Sequence, residues 1–306
     1  MQNRRKFIQQ FGTGAALVGL GGFPLEAFAA EKVRKLTILH SNDVHSRVDP
    51  FPIDDKKFPG MGGMAQKAAI IEVIRAQEEN VLLLDSGDIF QGTPYFNFYH
   101  GELEMKLMSE MQYDAATMGN HDFDAGIDGF EKQLPHANFP IIVSNYDFSD
   151  TVLNKKTLTY KIFDKKDIKV GVFGLGIELK GLVPDKLYNN TIYNDPVSTA
   201  QNMSNILRYD EKCDLVICLS HLGYNYEDNK ISDTTLSRQT EGIDIILGGH
   251  THTFLQSPTV YKNIANQNVL VNQVGWAGVW LGRIDIFFEK KFGKKWHSGT
   301  PVIVSK

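Results

Sequence analysis

Two cysteines in 306 residues, Cys213 and Cys218, leave no room for a disulfide framework. They lie five positions apart on one apparent strand, so they are expected to point to opposite faces and to remain buried thiols. Basic residues are also scarce relative to acidic ones, 32 against 36, giving a net charge of −4. That balance argues against a general nucleic-acid binder, which needs a basic surface. It fits cation binding, but its usual cause is a solvated surface. Beyond the N-terminal segment there is no apolar run long enough to be expected to span a bilayer. No repeat, low-complexity tract or linker divides the chain, so one mature domain is expected.

The N-terminus reads as a targeting segment. Arg4-Arg5-Lys6-Phe7-Ile8 is a positive opening, residues 11–25 are weakly apolar and rich in Gly and Ala, and Ala27-Phe28-Ala29 is a small-x-small cleavage site. The Arg-Arg-x-Phe-Ile pattern resembles a bacterial twin-arginine export signal, with an ordinary secretory signal as the alternative. A retained anchor fits poorly, because Pro24 and Glu26 break the short apolar run. The expectation is a signal over residues 1–29, a mature domain over residues 30–306, and a periplasmic or otherwise exported protein.

From there the chain alternates strands and helices. Residues 33–40 read as the first strand and residues 64–77 as a helix with apolar side chains at helical spacing. Residues 81–84 form a short continuous apolar run, the signature of a strand buried on both faces. Helices are predicted over residues 102–111 and 125–134, and buried strands over residues 113–117 and 140–144. Residues 158–163 and 168–174 flank Asp164-Lys165-Lys166-Asp167 as a hairpin. Asp195-Pro196 is an N-cap and N1 pair opening a helix to about Tyr209. Strands follow over residues 214–219 and 243–247, and residues 259–304 are mostly β, with turn signals at Asn266-Gln267-Asn268 and Gly293-Lys294. This is an α/β pattern with a β-rich end.

Polar clusters stand at successive strand ends, where open α/β sheets place their sites. They are Asp43-Val44-His45, Gly87-Asp88, Gly119-Asn120-His121, Ser220-His221 and Gly248-Gly249-His250-Thr251-His252. Carboxylates, imidazoles and one amide suit Zn, Mn, Fe or Co better than a thiolate-bound metal. In Asp-x-His and His-x-His, alternate residues of an extended chain project to one side, so each pair is expected to face one metal centre. Asp85 has the wrong parity relative to Asp88 and is expected to be structural. His40, His100, His136 and His297 have no partners by spacing. The aromatic residues between Phe90 and Tyr99 are expected to pack in the core.

The five clusters in this order resemble the calcineurin-like metallophosphoesterase superfamily. With Ser41-Asn42 before the first cluster, Gln91-Gly92-Thr93-Pro94, and Tyr113-Asp114-Ala115 leading to Asn120-His121-Asp122-Phe123-Asp124, the chain is similar to the catalytic domain of periplasmic and surface 5′-nucleotidases. The resemblance implies a four-layer α/β/β/α sandwich of two mixed sheets. It also implies two divalent metal ions, one held by Asp43, His45, Asp88 and His252, the other by Asp88, Asn120, His221 and His250. Asp88 would bridge them, and the ions would activate a shared water. His121 is left as the candidate catalytic acid, with Asp124 to orient it. The family usually has Glu where Asp122 stands, a difference taken here to matter little.

The activity implied is metal-dependent hydrolysis of nucleotides or other phosphoesters. A phosphodiesterase for cyclic nucleotides or nucleotide sugars is the runner-up, and an idle metal- or ligand-binding subunit is the non-enzyme reading. The resemblance covers only the N-terminal half of full-length 5′-nucleotidases. Their substrate-binding C-terminal domain has no counterpart here, so a separately encoded partner of that type is a further expectation.

Overall fold

The computed structural model describes residues 34–228, 230–289 and 294–305. The export-signal expectation and the turn signal at Gly293 fall outside them. The strands are β1 (Arg34–Ser41), β2 (Val81–Asp85), β3 (Ala115–Ala116), β4 (Tyr146–Asp147), β5 (Tyr160–Lys165), β6 (Ile168–Leu175) and β7 (Ile192–Tyr193). They continue with β8 (Leu215–Ser220), β9 (Ile245–Leu247), β10 (Thr259–Lys262), β11 (Asn268–Asn272), β12 (Trp280–Glu289) and β13 (Lys294–Ile303). One sheet has the order β13-β12-β1-β2-β3 and the other β10-β11-β9-β8-β6-β5, while β4 and β7 form a small ribbon. Both sheets are mixed. In the first, β1, β2 and β3 run parallel and β12 and β13 pair antiparallel. In the second, β6, β8, β9 and β11 run parallel, with antiparallel β5 and β10 at the edges.

Side-chain parity explains the layers. In β8, Leu215, Ile217 and Leu219 join Leu36, Ile38, Leu82 and Leu84 of the first sheet in a core between the two sheets. The alternate residues Val216 and Cys218 face outward, onto Ala200, Met203 and Leu236 of helices Pro196–Asn205 and Asp233–Gln239. Leu39 and Leu83 of the first sheet likewise face Ile71, Ile74, Met105, Met108 and Phe130, from helices Met64–Gln77, Glu102–Glu110 and Ile127–Gln133. Each continuous apolar run is thus a strand buried on both faces, and the result is a four-layer α/β/β/α sandwich.

The departures from the sequence expectations are local. Residues 113–117 keep only the two-residue β3, and residues 140–144 make isolated bridges at Ile141 and Ile142 rather than a strand. The helix expected to start at residue 125 is preceded by a 3-10 turn, His121–Phe123, and begins at Ile127 after Gly126. The helix capped by Asp195, whose side chain accepts from Ser198 N, ends at Asn205 and continues as a π-turn over Ile206–Asp210. Helix Asp233–Gln239, capped by a Ser232/Thr235 box, has no counterpart in the sequence reading, and neither has Pro94–Tyr99. Cys213 lies before β8, so strand parity does not apply to it. It packs in the same outer cluster as Cys218, and both thiols are free and buried.

Ile217 is fully buried between the sheets, whereas Ile264 is 63% exposed. Ile217→Ala is expected to lower stability by about 2–5 kcal/mol in denaturant unfolding, and Ile264→Ala by less than about 0.5 kcal/mol.

Candidate metal centre

The parallel strands of both sheets end along one seam. Asp43 and His45 follow β1, Asp88 follows β2, and Asn120 and His121 follow β3. From the second sheet, His221 follows β8, and His250 and His252 follow β9. Ser86 stitches the seam: its Oγ donates to Leu247 O at 2.8 Å, and its carbonyl accepts from His221 Nδ1 at 2.7 Å.

The two-member clusters do not sit on extended chain. Asp43, His45, Asp88, His250 and His252 all have left-handed backbones, with φ of 50°, 50°, 55°, 72° and 52°. Five non-glycine residues in a sparsely populated region, all at one site, represent concentrated strain of the kind that functional sites hold. The kinks, not strand parity, aim these side chains. They also send His250 and His252 to different partners.

Asp122 holds the loops in place. Its buried carboxylate accepts from Asp88 N at 3.0 Å, Ile89 N at 2.9 Å, Phe90 N at 3.1 Å and Gly119 N at 2.8 Å. Burial, reinforced by Asp88, pushes the Asp122 carboxyl up to about 7, while the amides pull the other way. Sequence reading set this residue aside as no ligand, yet it ties the loop after β2 to the loop after β3. The close approach also needs Gly119, where a Cβ would overlap Asp88 Oδ1 and come within 2.6 Å of both Asp88 N and His221 Cε1.

Two groups of ligand-type side chains result. Asp43, His45 and His252 bring one donor atom each within 4.8 Å of one another, and so do Asp88, His221 and His250. Asp88 Oδ2 lies 3.0 Å from His221 Nε2 and 3.7 Å from His45 Nε2, so it stands between the groups. Asn120 Oδ1 joins the second group at 2.8 Å from His250 Nδ1. Asp43 Oδ1 is 3.4 Å from His252 Nε2 and 3.9 Å from both His45 Nε2 and His221 Nε2.

The donor set fits divalent cations. His45 Nδ1 faces the Phe90 carbonyl at 3.3 Å, and His221 Nδ1 faces the Ser86 carbonyl at 2.7 Å. A carbonyl only accepts, so each Nδ1 carries a proton and each Nε2 is the nitrogen turned toward carboxylates. His45 Nε2 and His252 Nε2 face each other at 3.1 Å. So many acceptors converging in a buried space need a positive charge among them. The titration tendencies agree. Burial works against the Asp88 carboxylate, but His221, His45 and His121 outweigh it and hold the group well below the usual range. Burial would also lower His221, but Asp88 and Asp43 raise it to about 10, so a proton is drawn to this spot. Burial lowers His250 to about 4 and also lowers His45, which favours the neutral form in which an imidazole can bind a cation.

His121 stands outside both groups, 39% exposed, with its ring centroid 5.3 Å from that of His45. Its Nδ1 meets Asp124 Oδ2 at 2.8 Å, a contact that raises its pKa. The 3-10 turn places residue i+3 directly over residue i, which is why Asp124 reaches it.

The remaining candidates are structural. Asp85 is buried, accepts from Ser41 Oγ and Gly87 N, and is pushed by burial up to about 6. His40 is buried against Asn272, and burial holds it down at about 3. Of the aromatic residues in the loop after β2, Phe90 and Phe96 pack in the core as expected. Phe98 is 77% exposed and flanks a cavity of about 760 Å³ with Arg47 and Tyr95. Asp233 escaped notice, although it is fully buried and accepts from Ser220 Oγ beneath His221. Its only signal was the Ser-Asp-x-Thr start of an unrecognised helix.

Asp122→Asn replaces one acceptor oxygen by a donor facing amide N–H groups. It is expected to lower stability by about 2–4 kcal/mol in urea unfolding. It should also weaken zinc binding at least about tenfold by calorimetric titration.

Comparison with known proteins places this geometry. The calcineurin-like phosphoesterase family model matches residues 36–254. The chain is 35% identical over 293 residues to the snake venom 5′-nucleotidase of Crotalus adamanteus, covering 89% of this chain and 48% of that protein. It is 32% identical to the trifunctional nucleotide phosphoesterase YfkN of Bacillus subtilis, covering 84% of this chain and 18% of that one. The crystal structure of a 5′-nucleotidase precursor from Thermus thermophilus superposes with a TM-score of 0.78 at 30% identity, over 89% of this chain and 55% of that one. The chain spans about half the length of the venom enzyme. With the family match extending over most of the two sheets and the polar strand ends meeting at their seam, the chain belongs to the calcineurin-like phosphoesterase family.

Proposed function

We propose that the chain hydrolyses the phosphate monoester of nucleotides at a dinuclear metal site. The observation that carries this reading is the pair of ligand groups meeting at Asp88, with the His121–Asp124 pair beside them. Asp43, His45, Asp88 and His252 would hold one divalent ion, and Asp88, Asn120, His221 and His250 the other. Two such ions, of Zn, Mn, Fe or Co, bind phosphate oxygens and make water a better nucleophile at neutral pH.

The chain's own residues supply the rest. Ser86 and Phe90 carbonyls fix the tautomers of His221 and His45. Asp124 holds His121 Nδ1, leaving Nε2 as the nitrogen that gives a proton to the departing alkoxide oxygen. The nucleotide class of substrate rests on the names of the relatives, several of which are 5′-nucleotidases. The half-length match supports a second folded segment, of the 5′-nucleotidase C-terminal type, that completes substrate recognition. We further propose that residues 1–29 direct export and that residues 30–306 form the catalytic unit. Among the described residues, no helix is long and apolar enough to cross a membrane.

The test is turnover of a nucleoside monophosphate, an aryl phosphate and a bis-aryl phosphodiester with defined metals, read as phosphate release for the monoesters and aryl alcohol release for the diester. Turnover is expected with manganese or zinc, loss on chelation, and recovery on adding the metal back. Turnover confined to a bis-aryl phosphodiester would favour the diesterase reading, and none with any metal would favour a binding subunit. His121→Ala is expected to retain the full metal content by mass spectrometry and lose about 10²–10⁴-fold in kcat. Loss of metal in that variant would instead make His121 a ligand.

A further inference from the structure

Four imidazoles face the proposed metal site, and three have a polar contact at Nδ1, two with backbone carbonyls outside the ligand set and one with the proposed co-ligand Asn120. His45 Nδ1 meets the Phe90 carbonyl at 3.3 Å, His221 Nδ1 meets the Ser86 carbonyl at 2.7 Å, and His250 Nδ1 meets Asn120 Oδ1 at 2.8 Å. The fourth, His252, has no such contact at Nδ1 among the described residues. Its Nε2 faces His45 Nε2 at 3.1 Å, and its side chain is 39% exposed. A ring so placed would be free to turn unless something else held it.

What holds it is an indole. The Trp276 ring lies parallel to the His252 ring, with centroids 5.5 Å apart and planes 7° from each other. The far end of this stack is itself fixed. Phe51 and Phe58 meet Trp276 edge-on, at 6.0 Å and 77° and at 6.4 Å and 73°. The backbone is tied on both sides of the indole to the segments that carry the first ligand group. Asn42 Nδ2 donates to Gly275 O at 2.6 Å, Ala277 N donates to Asp43 O at 2.7 Å, and Gly275 N donates to Thr253 O at 2.9 Å. The ties require a tight path, with Gly275 at φ 74° and Ala277 at φ 55°. Trp276 is therefore a rigid wall built onto the Asp43 and His252 loops.

We propose that Trp276 is a positioning residue for His252, fixing by stacking a ring that has no hydrogen bond at Nδ1. This rests on the reading of Asp43, His45 and His252 as a metal-binding group. An imidazole bound through Nε2 gains positive character, and an indole face is the best aromatic partner for positive charge. The stack accordingly favours the metal-bound ring over the free one, beyond holding its orientation.

The test titrates zinc into the metal-free full chain, read by calorimetry and by tryptophan emission. The chain has three tryptophans, Trp276, Trp280 and Trp296. In the unaltered protein, zinc should change the emission, and Trp276→Phe should abolish the change while keeping both affinities within about threefold. Trp276→Leu should weaken one of the two ions about tenfold or more and leave the other nearly unchanged. Trp280→Leu is the packing control, since Trp280 meets Phe254 at 4.8 Å in the same aromatic cluster. It should leave both affinities intact.

Unchanged affinities in a folded Trp276→Leu would overturn the proposal, and so would an equal loss of the same ion in Trp280→Leu. If circular dichroism shows Trp276→Leu unfolded, the emission arm decides, and a zinc response that persists in Trp276→Phe counts against it. Binding of no zinc by the unaltered chain would defeat the metal-site reading itself, a different failure.

Discussion

A single buried carboxylate, that of Asp122, gathers four backbone amides from two different strand ends. Everything at the site depends on that gathering. Asp88 can stand between the two ligand groups only if the loop after β2 is held against the loop after β3. Amides of Asp88, Ile89 and Phe90 bend around one oxygen pair, and the Gly119 amide closes the other side. The same bend turns the Phe90 carbonyl toward His45. A carboxyl group that accepts four N–H bonds shapes the backbone around itself and binds no ligand through those oxygens.

The second constraint is electrostatic. Three aspartates, Asp43, Asp88 and Asp122, are essentially inaccessible to solvent within a few residues of the seam. Imidazole nitrogens crowd two of them, those of His45 and His221 against Asp88 and that of His252 against Asp43. Such an arrangement is costly in an empty apolar interior and favourable around cations. The left-handed backbones at Asp43, His45, Asp88, His250 and His252 add strain in the same place. Strain and convergent negative charge are held by the surrounding sheets, whose shared core of Leu, Ile and Val side chains leaves the strand ends little freedom to relax.

Much of the fold was legible because buried strands in a two-sheet sandwich must be apolar on both faces, and β2, β8 and β9 are. Helix Met64–Gln77 was legible from its period and ends where expected. What was not legible has physical reasons. Helix Pro94–Tyr99 is six residues long, too short for a period, and β3 is two residues held by its neighbours rather than by its own pattern. Cys213 sits just before its strand, where parity arguments lapse. The ligand-type residues were readable as a set, since Asp, His and Asn after strand ends are chemically distinctive. Their aim was not, because it comes from backbone kinks instead of strand alternation. Asp122 was legible as a non-ligand but its bracing role was not, for a residue that binds only backbone has no partner that a sequence displays. Trp276 lies more than twenty positions from the ring it faces and carries no spacing signal at all.

The central claim is that the two ligand groups hold two ions sharing Asp88. The most direct measurement is anomalous diffraction from crystals of the protein loaded with manganese. The account predicts two peaks about 3.5–4 Å apart on either side of the Asp88 carboxylate. One peak, or two peaks of which neither touches Asp88, would contradict it.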